Sequence, residues 1–87
     1  MSPVEVQGRD AALEAYRVEV TAGGERVKGY VPETLIAEDM LRGAGPSHED
    51  AYQWIARHRR DIEAALLKMK RGTRVRGPMN RLSLAED

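Results

Sequence analysis

The sequence has no cysteine and no phenylalanine, and its aromatic residues are one tryptophan and three tyrosines. Without cysteine the chain has no disulfide, no thiolate metal ligand and no thiol nucleophile. No apolar run approaches the roughly 20 residues that a membrane helix needs, and the first residues lack the basic and then apolar pattern of a signal peptide. We therefore expect a soluble cytoplasmic protein that does not enter a membrane.

The length and the apolar content fit one small globular domain. Of the 87 residues, 41% are hydrophobic, which argues against disorder and is sufficient for one modest core. We expect a single domain over residues 1–87, with residues 1–14 and 72–80 loosely ordered.

The charges balance in total but not in position. The chain carries 14 basic and 14 acidic side chains. Residues 1–44 contain five basic and eight acidic side chains, whereas residues 45–87 contain nine basic and six acidic ones. This asymmetry indicates either a surface for an anionic partner or the solvated face of a helix.

Two alternating segments predict a β-hairpin. Residues 15–20 place apolar side chains on one face, and residues 26–31 resume the alternation after a glycine-containing turn at 21–25. Gly29 in the second arm indicates either a β-bulge or the close approach of a packed helix. Residues 4–6 are expected to form a brief extended piece.

Helical spacing predicts two helices. The first covers residues 33–41. The second begins at Ser47, where Ser47 and Asp50 have the pattern of a capping box, and ends before Gly72, so that it would be about 36 Å long. Its apolar stripe repeats at spacings of three and four residues and comprises Ala51, Ile55, His58, Ile62, Ala65 and Met69.

Two charged pairs within the long helix have the spacing of surface ion pairs. Asp61 follows Arg57 and Glu63 follows Arg59, each by four residues, which places the partners next to each other on a continuous helix. Such a pair contributes a few tenths of a kcal/mol.

Residues 80–84 alternate weakly and predict a short final strand at the edge of the hairpin. The expected fold class is α+β, with a three-stranded, mainly antiparallel sheet packed against two helices in the order β-β-α-α-β. The predicted buried residues are Val18, Val20, Val27, Leu35, Ile36, Ile55, Ile62 and Leu66.

This layout resembles a known family. The segments that carry the resemblance are residues 27–31, 32–35, 47–51 and 57–65. They are similar to the small bacterial proteins grouped as domain of unknown function fourteen eighty-eight, and the resemblance covers roughly residues 15–70 and the terminal 82–84. It implies a sheet packed against two helices. The family has no established activity, so the resemblance leaves the function open.

No constellation of residues predicts catalysis. His58 could act as a base or a ligand, but its place on the apolar stripe favours a packing histidine. No metal-ligand spacing links it to His48, and Ser47 is occupied by capping. The carboxylates are scattered. We therefore predict a protein that is not an enzyme, with no catalytic residue, no cofactor and no metal.

Nucleic-acid binding is the alternative hypothesis. Basic residues that run off the long helix into the following linker would bind phosphates, and these are Arg57, Arg60, Arg71, Arg74 and Arg76. Against it, the pI is about 6.7. The sequence also has no helix-turn-helix, RNP-type aromatic pair or GXXG loop.

An interaction or accessory module is the preferred hypothesis. Tyr52, Trp54 and Met69 would form an exposed apolar patch for a protein partner or for a second copy of the chain. The competing interpretation is that Trp54 closes the core, because a chain without phenylalanine needs its volume there.

Overall fold

Four strands and three helices make up the described part of the chain. The computed structural model describes residues 4–22, 24–40 and 47–85. In chain order the elements are β1 (Val4–Asp10), β2 (Ala15–Ala22), β3 (Glu25–Pro32), α1 (Glu33–Asp39), α2 (His48–Arg57), α3 (Arg59–Lys70), a 3-10 turn (Met79–Arg81) and β4 (Ser83–Leu84). The fold class is therefore α+β, as predicted.

The strands form one antiparallel sheet in the order β1-β2-β3-β4. The predicted hairpin is confirmed: Val18 lies opposite Gly29, and Gly24 in the turn has a φ of +80°, which glycine adopts without strain. The predicted edge strand is also confirmed, because β4 pairs with the middle of β3.

The prediction of three strands is wrong, because β1 adds a fourth strand alongside β2. Val6 lies opposite Val18, but the register shifts between Val6 and Gly8, and Gly8 has a φ of +127°. A β-bulge of this kind interrupts the alternation of side chains between the two faces. The apolar alternation is therefore confined to Val4 and Val6, and the sequence indicated only a brief extended piece.

The bulge turns Arg9 towards the face of the sheet that carries the helices. Arg9 lies opposite the buried Tyr16. Its guanidinium contacts the carboxylate of Glu33 at the start of α1. The backbone N–H of Glu33 donates to the carbonyl of Glu14 at 3.0 Å. These contacts tie β1 and the β1–β2 turn to the first helix.

The predicted ends of the long helical segment are confirmed. The Ser47 hydroxyl accepts from the N–H of Asp50 at 3.1 Å, and the Asp50 carboxylate accepts from the N–H of Ser47 at 3.3 Å. At the other end Gly72 has a φ of +76°. The Thr73 N–H donates to the Lys68 carbonyl at 2.8 Å, which is the wide hydrogen bond of a Schellman motif.

The segment between these ends consists of two helices, α2 and α3, and not of one. The described residues therefore contain three helices, and the prediction of two is wrong. The break lies at His58, where φ is −102° and ψ is 18°. Helix α2 packs against β1, whereas α3 packs mainly against β3 and β4 and also contacts β1. The expected continuous helix of about 36 Å is therefore two shorter helices that lie on a twisted sheet.

The core lies between one face of the sheet and the helices. Leu82 is buried with it, and Leu84 packs against it at partial exposure. Alternate residues of β2, such as Arg17 and Glu19, lie on the opposite face. All eight residues predicted to be buried are buried, namely Val18, Val20, Val27, Leu35, Ile36, Ile55, Ile62 and Leu66.

Gly29 allows α3 to approach the sheet closely. A Cβ atom at this position would lie 2.5 Å from Leu66 Cδ2 and 2.8 Å from the carbonyl oxygen of Ser83. Both distances are too short for a real side chain. Of the two explanations that the sequence offered for Gly29, the packed helix is confirmed, and the bulge lies in β1.

Replacing Ile62 with alanine should lower the free energy of unfolding by about 2–5 kcal/mol, because Ile62 is fully buried and its truncation leaves a cavity. The exposed Arg60→Ala on the same helix is the matched control and should change this free energy by less than about 0.5 kcal/mol. Urea denaturation followed by tryptophan fluorescence measures both. A loss below about 1 kcal/mol for Ile62→Ala would contradict its central position.

Candidate functional site

A groove of about 460 Å³ lies between α3 and residues 74–79, and we call it the α3 groove. Its apolar lining includes Ala64 and Ala65 from α3 and Val75 and Met79 from the opposite wall. Val75 and Met79 also pack against the core. The opposite wall is thus irregular chain that is held against the helical layer by its apolar side chains.

Both ends of this irregular wall are anchored. At its start, the Schellman motif at Gly72 holds the chain against the last turn of α3. At its end, Arg81 in the 3-10 turn donates to Thr34 Oγ1 at 2.7 Å and contacts the carboxylate of Glu38. The irregular wall of the groove is therefore fixed to α3 at its start and to α1 at its end.

Side chains from three parts of the chain meet in the lining of the α3 groove. The Trp54 indole N–H donates to Asp39 Oδ2 at 2.7 Å. The His58 ring lies against the Trp54 ring, with centroids 4.3 Å apart, and His58 Nε2 is 3.6 Å from the same carboxylate oxygen. Trp54 is 4% exposed. Asp39 is therefore engaged by two neighbours, and one face of the indole is covered.

Four further charged residues line the α3 groove: Asp61, Lys68, Arg74 and Arg76. All four are exposed. Within residues 4–22, 24–40 and 47–85, none of them lies at ion-pair distance from an opposite charge. The groove thus presents three cations and one carboxylate that no described charge neutralises.

The two expected ion pairs, Arg57 with Asp61 and Arg59 with Glu63, are absent from the described residues, so both predictions are wrong. The Arg59 guanidinium donates instead to the Ala56 carbonyl at 3.1 Å. For Arg57 and Asp61, the expected spacing holds only for a continuous helix. The break at His58 lies between the two residues. The carboxylate of Asp61 lines the α3 groove instead.

The five arginines predicted to contact nucleic acid occupy three places. Arg74 and Arg76 line the α3 groove. Arg57 and Arg60 line a second depression at the junction of α2 and α3, which shares His58 and Asp61 with the α3 groove. Arg71 is the exposed C-cap residue of α3. One groove therefore brings together two of the five.

The three residues predicted to contact a partner also differ in their surroundings. Tyr52 is 45% exposed, and its ring forms a T-shaped pair with the ring of Tyr16. Met69 is partly buried and packs against the core. Trp54 belongs to the core, in agreement with the competing interpretation that it supplies volume there.

The histidines do not share a site. His48 begins α2, and its Nδ1 is 3.4 Å from the Tyr16 hydroxyl, whereas His58 ends the same helix against Trp54. Among the described residues no three potential ligands are grouped so that they could hold a metal ion. In the same part of the chain, each helix is too short or too polar to cross a bilayer.

Of the candidate site residues named from the sequence, Trp54, Arg74 and Arg76 line the α3 groove. Asp61 and Lys68 were missed as site residues, although their spacing from Ala65 places all three on one helix face and is the signal that could have grouped them. Asp39 was missed because its contact with Trp54 joins residues that are 15 positions apart. No local pattern indicates such a contact.

Comparison of the chain with protein families, with curated proteins and with solved structures gives no match. The resemblance to the small bacterial family therefore stays a prediction.

Removing the hydrogen-bond acceptor of Trp54 should destabilise the fold. Asp39→Ala leaves the indole N–H without its partner, and we expect the free energy of unfolding to fall by about 1–3 kcal/mol. Asp39→Asn keeps an oxygen acceptor and should retain most of that stability. Urea denaturation measures both variants. Equal stability of Asp39→Ala and the unchanged protein would show that the hydrogen bond contributes nothing.

A second cluster lies at the start of α2. The rings of His48 and Tyr52 each form a T-shaped pair with the ring of Tyr16. The centroids are 6.0 Å apart for His48 and Tyr16 and 6.1 Å apart for Tyr52 and Tyr16. Burial raises the pKa of the Tyr16 hydroxyl, and the carboxylate of Glu33 raises it further, whereas Arg9 lowers it. The folded state therefore favours the neutral phenol.

This raised pKa predicts a loss of stability in alkaline solution. The contribution is complete below the ordinary pKa of tyrosine, about 10, and is lost as the pH rises through the higher pKa of folded Tyr16. Tyr16→Phe cannot ionise, so its stability should fall less steeply between about pH 9 and pH 11. Urea midpoints across this range measure the difference, and identical slopes for both proteins would contradict it.

Proposed function

We propose that the protein is a non-enzymatic interaction module whose α3 groove binds a short segment of a partner protein. The observation that carries the proposal is the lining of the groove, where apolar side chains lie beside cations that no described carboxylate neutralises. A peptide supplies apolar side chains and carboxylates on one chain. We propose the cytoplasm as its location, as expected from the sequence.

The size of the α3 groove suits a few residues of a bound segment. Its volume of about 460 Å³ falls within the range of roughly 300–1,000 Å³ for ligand sites. Ala64 and Ala65 are small, which leaves space beside the helix for an apolar side chain of the ligand. Lys68, Arg74 and Arg76 are exposed and available to its carboxylates.

A nucleic acid fits the same groove less well. Bases bind by stacking on exposed aromatic rings, but Trp54 is buried and His58 covers one face of its ring. Asp39 and Asp61 line the groove with the cations and would repel a phosphate backbone. Binding of RNA or DNA is therefore an alternative outcome of the test.

Selection from a random library of displayed peptides, with the full chain as bait, tests the proposal. Enriched peptides are then synthesised and titrated, and Trp54 fluorescence reports binding because the chain has a single tryptophan and that residue lines the groove. We expect Arg74→Glu combined with Arg76→Glu to lower the affinity by about tenfold or more. The matched control combines Arg17→Glu with Arg26→Glu, at exposed positions of β2 and β3 outside the groove, and should leave the affinity within about twofold.

A steric variant gives an independent check. Ala64→Leu adds bulk inside the groove at an exposed position, so it should weaken peptide binding without changing the free energy of unfolding by more than about 0.5 kcal/mol. Labelled RNA and DNA are titrated in parallel, at about 50 and 200 mM salt, by fluorescence anisotropy. Salt-sensitive nucleic-acid binding with no enriched peptide would overturn the proposal.

A further inference from the structure

The charge of the α3 groove changes sign along its helix. Asp61, Ala65 and Lys68 are four and three residues apart, so they lie on one face of α3, and all three line the groove. An α-helix rises 1.5 Å per residue, which separates the Cα atoms of Asp61 and Lys68 by about 10 Å along the helix axis. This helix face is therefore acidic at its Asp61 end and basic at its Lys68 end.

The opposite wall reinforces the cationic end. The Thr73 N–H donates to the Lys68 carbonyl at 2.8 Å, so the chain turns back beside Lys68. Arg74 follows immediately and lines the groove, as does Arg76. The Lys68 end of the groove is therefore strongly cationic.

The other end of the groove is acidic. Asp61 is three residues from His58, whose Nε2 lies 3.6 Å from Asp39 Oδ2, so both carboxylates are at this end. The Trp54 N–H and His58 engage Asp39. Asp61 has no opposite charge at ion-pair distance in the described ranges of the chain. It is the carboxylate available to a ligand.

We propose that the α3 groove selects peptide segments that carry one basic and one acidic side chain four residues apart, with an apolar residue midway between them. Side chains of an extended chain alternate between two faces, so three residues that are spaced two apart share one face. An extended chain advances about 3.3 Å per residue, so four residues span about 13 Å, and the long side chains of Lys68 and Arg74 bridge the difference from the distance of about 10 Å between the two ends. The basic side chain contacts Asp61, the acidic one contacts Lys68 and Arg74, and the apolar one lies over Ala65. This inference rests on the proposed function and specifies its ligand.

Parallel selections from one displayed peptide library test this inference, with the unchanged full chain and with Asp61→Lys as baits. The unchanged chain should enrich peptides in which opposite charges are four positions apart. Asp61→Lys leaves Asp39, which Trp54 and His58 engage, as the remaining carboxylate of the lining, and it should enrich peptides with two acidic residues at that spacing. Glu63→Lys is the matched control on the same helix outside the groove, and it should enrich the same peptides as the unchanged chain.

Synthetic peptides give the size of the effect. Replacing the basic residue of an enriched peptide by glutamate should weaken binding to the unchanged chain by about three- to fivefold, as expected for an exposed charge pair. The same change should strengthen binding to Asp61→Lys. Asp61→Asn keeps the shape of the side chain and should bind both peptides about equally. Circular dichroism establishes that the variants are folded.

The outcomes separate the two proposals. Enriched peptides without paired opposite charges, or with the same charges for both baits, would overturn this inference and leave peptide binding intact. A failure of every bait to enrich any peptide would overturn the proposed function and this inference with it.

Discussion

The close approach of α3 to the sheet determines where the other parts of the protein lie. The side chain of Leu66 and the carbonyl oxygen of Ser83 both occupy the space that a side chain at position 29 would need. A glycine at this point therefore lets the helix, β3 and β4 pack together with nothing between them. The position of α3 then sets one wall of the groove, and the position of β4 sets where the chain must return after it.

The break at His58 lies where the contacts of the helical layer with the sheet change. Helix α2 contacts β1, whereas α3 contacts β3 and β4 most and β1 less, and the sheet twists beneath both helices. The helix is interrupted at His58, whose ring contacts Trp54 and Asp39. Arg57 and Asp61 lie on either side of this interruption. The interruption therefore coincides with the aromatic pair and with a carboxylate that no cation of the described residues neutralises.

The sequence predicted those features that depend on near neighbours. The capping box at Ser47, the glycine that ends α3 and the eight buried residues all follow from spacing along the chain, and the structure confirms them. It did not predict β1, because the bulge before Gly8 hides the alternation. It did not predict the break at His58 either, because no glycine or proline marks it and the apolar stripe continues across it. The lining of the groove depends on such long-range geometry.

The acidic and basic side chains balance in number over the whole chain but differ in what they contact. Acidic residues of the first half are engaged in contacts that hold the fold together, and these contacts are Arg9 with Glu33, Arg26 with Glu19, Lys70 with Glu25, Arg81 with Glu38, and Trp54 and His58 with Asp39. The cations of the α3 groove take part in none of them. A net charge of zero is therefore compatible with a strongly cationic site, because the acids that balance it in number are used elsewhere in the structure. The low pI argues against a general affinity for nucleic acid but does not weaken the case for a local anionic ligand.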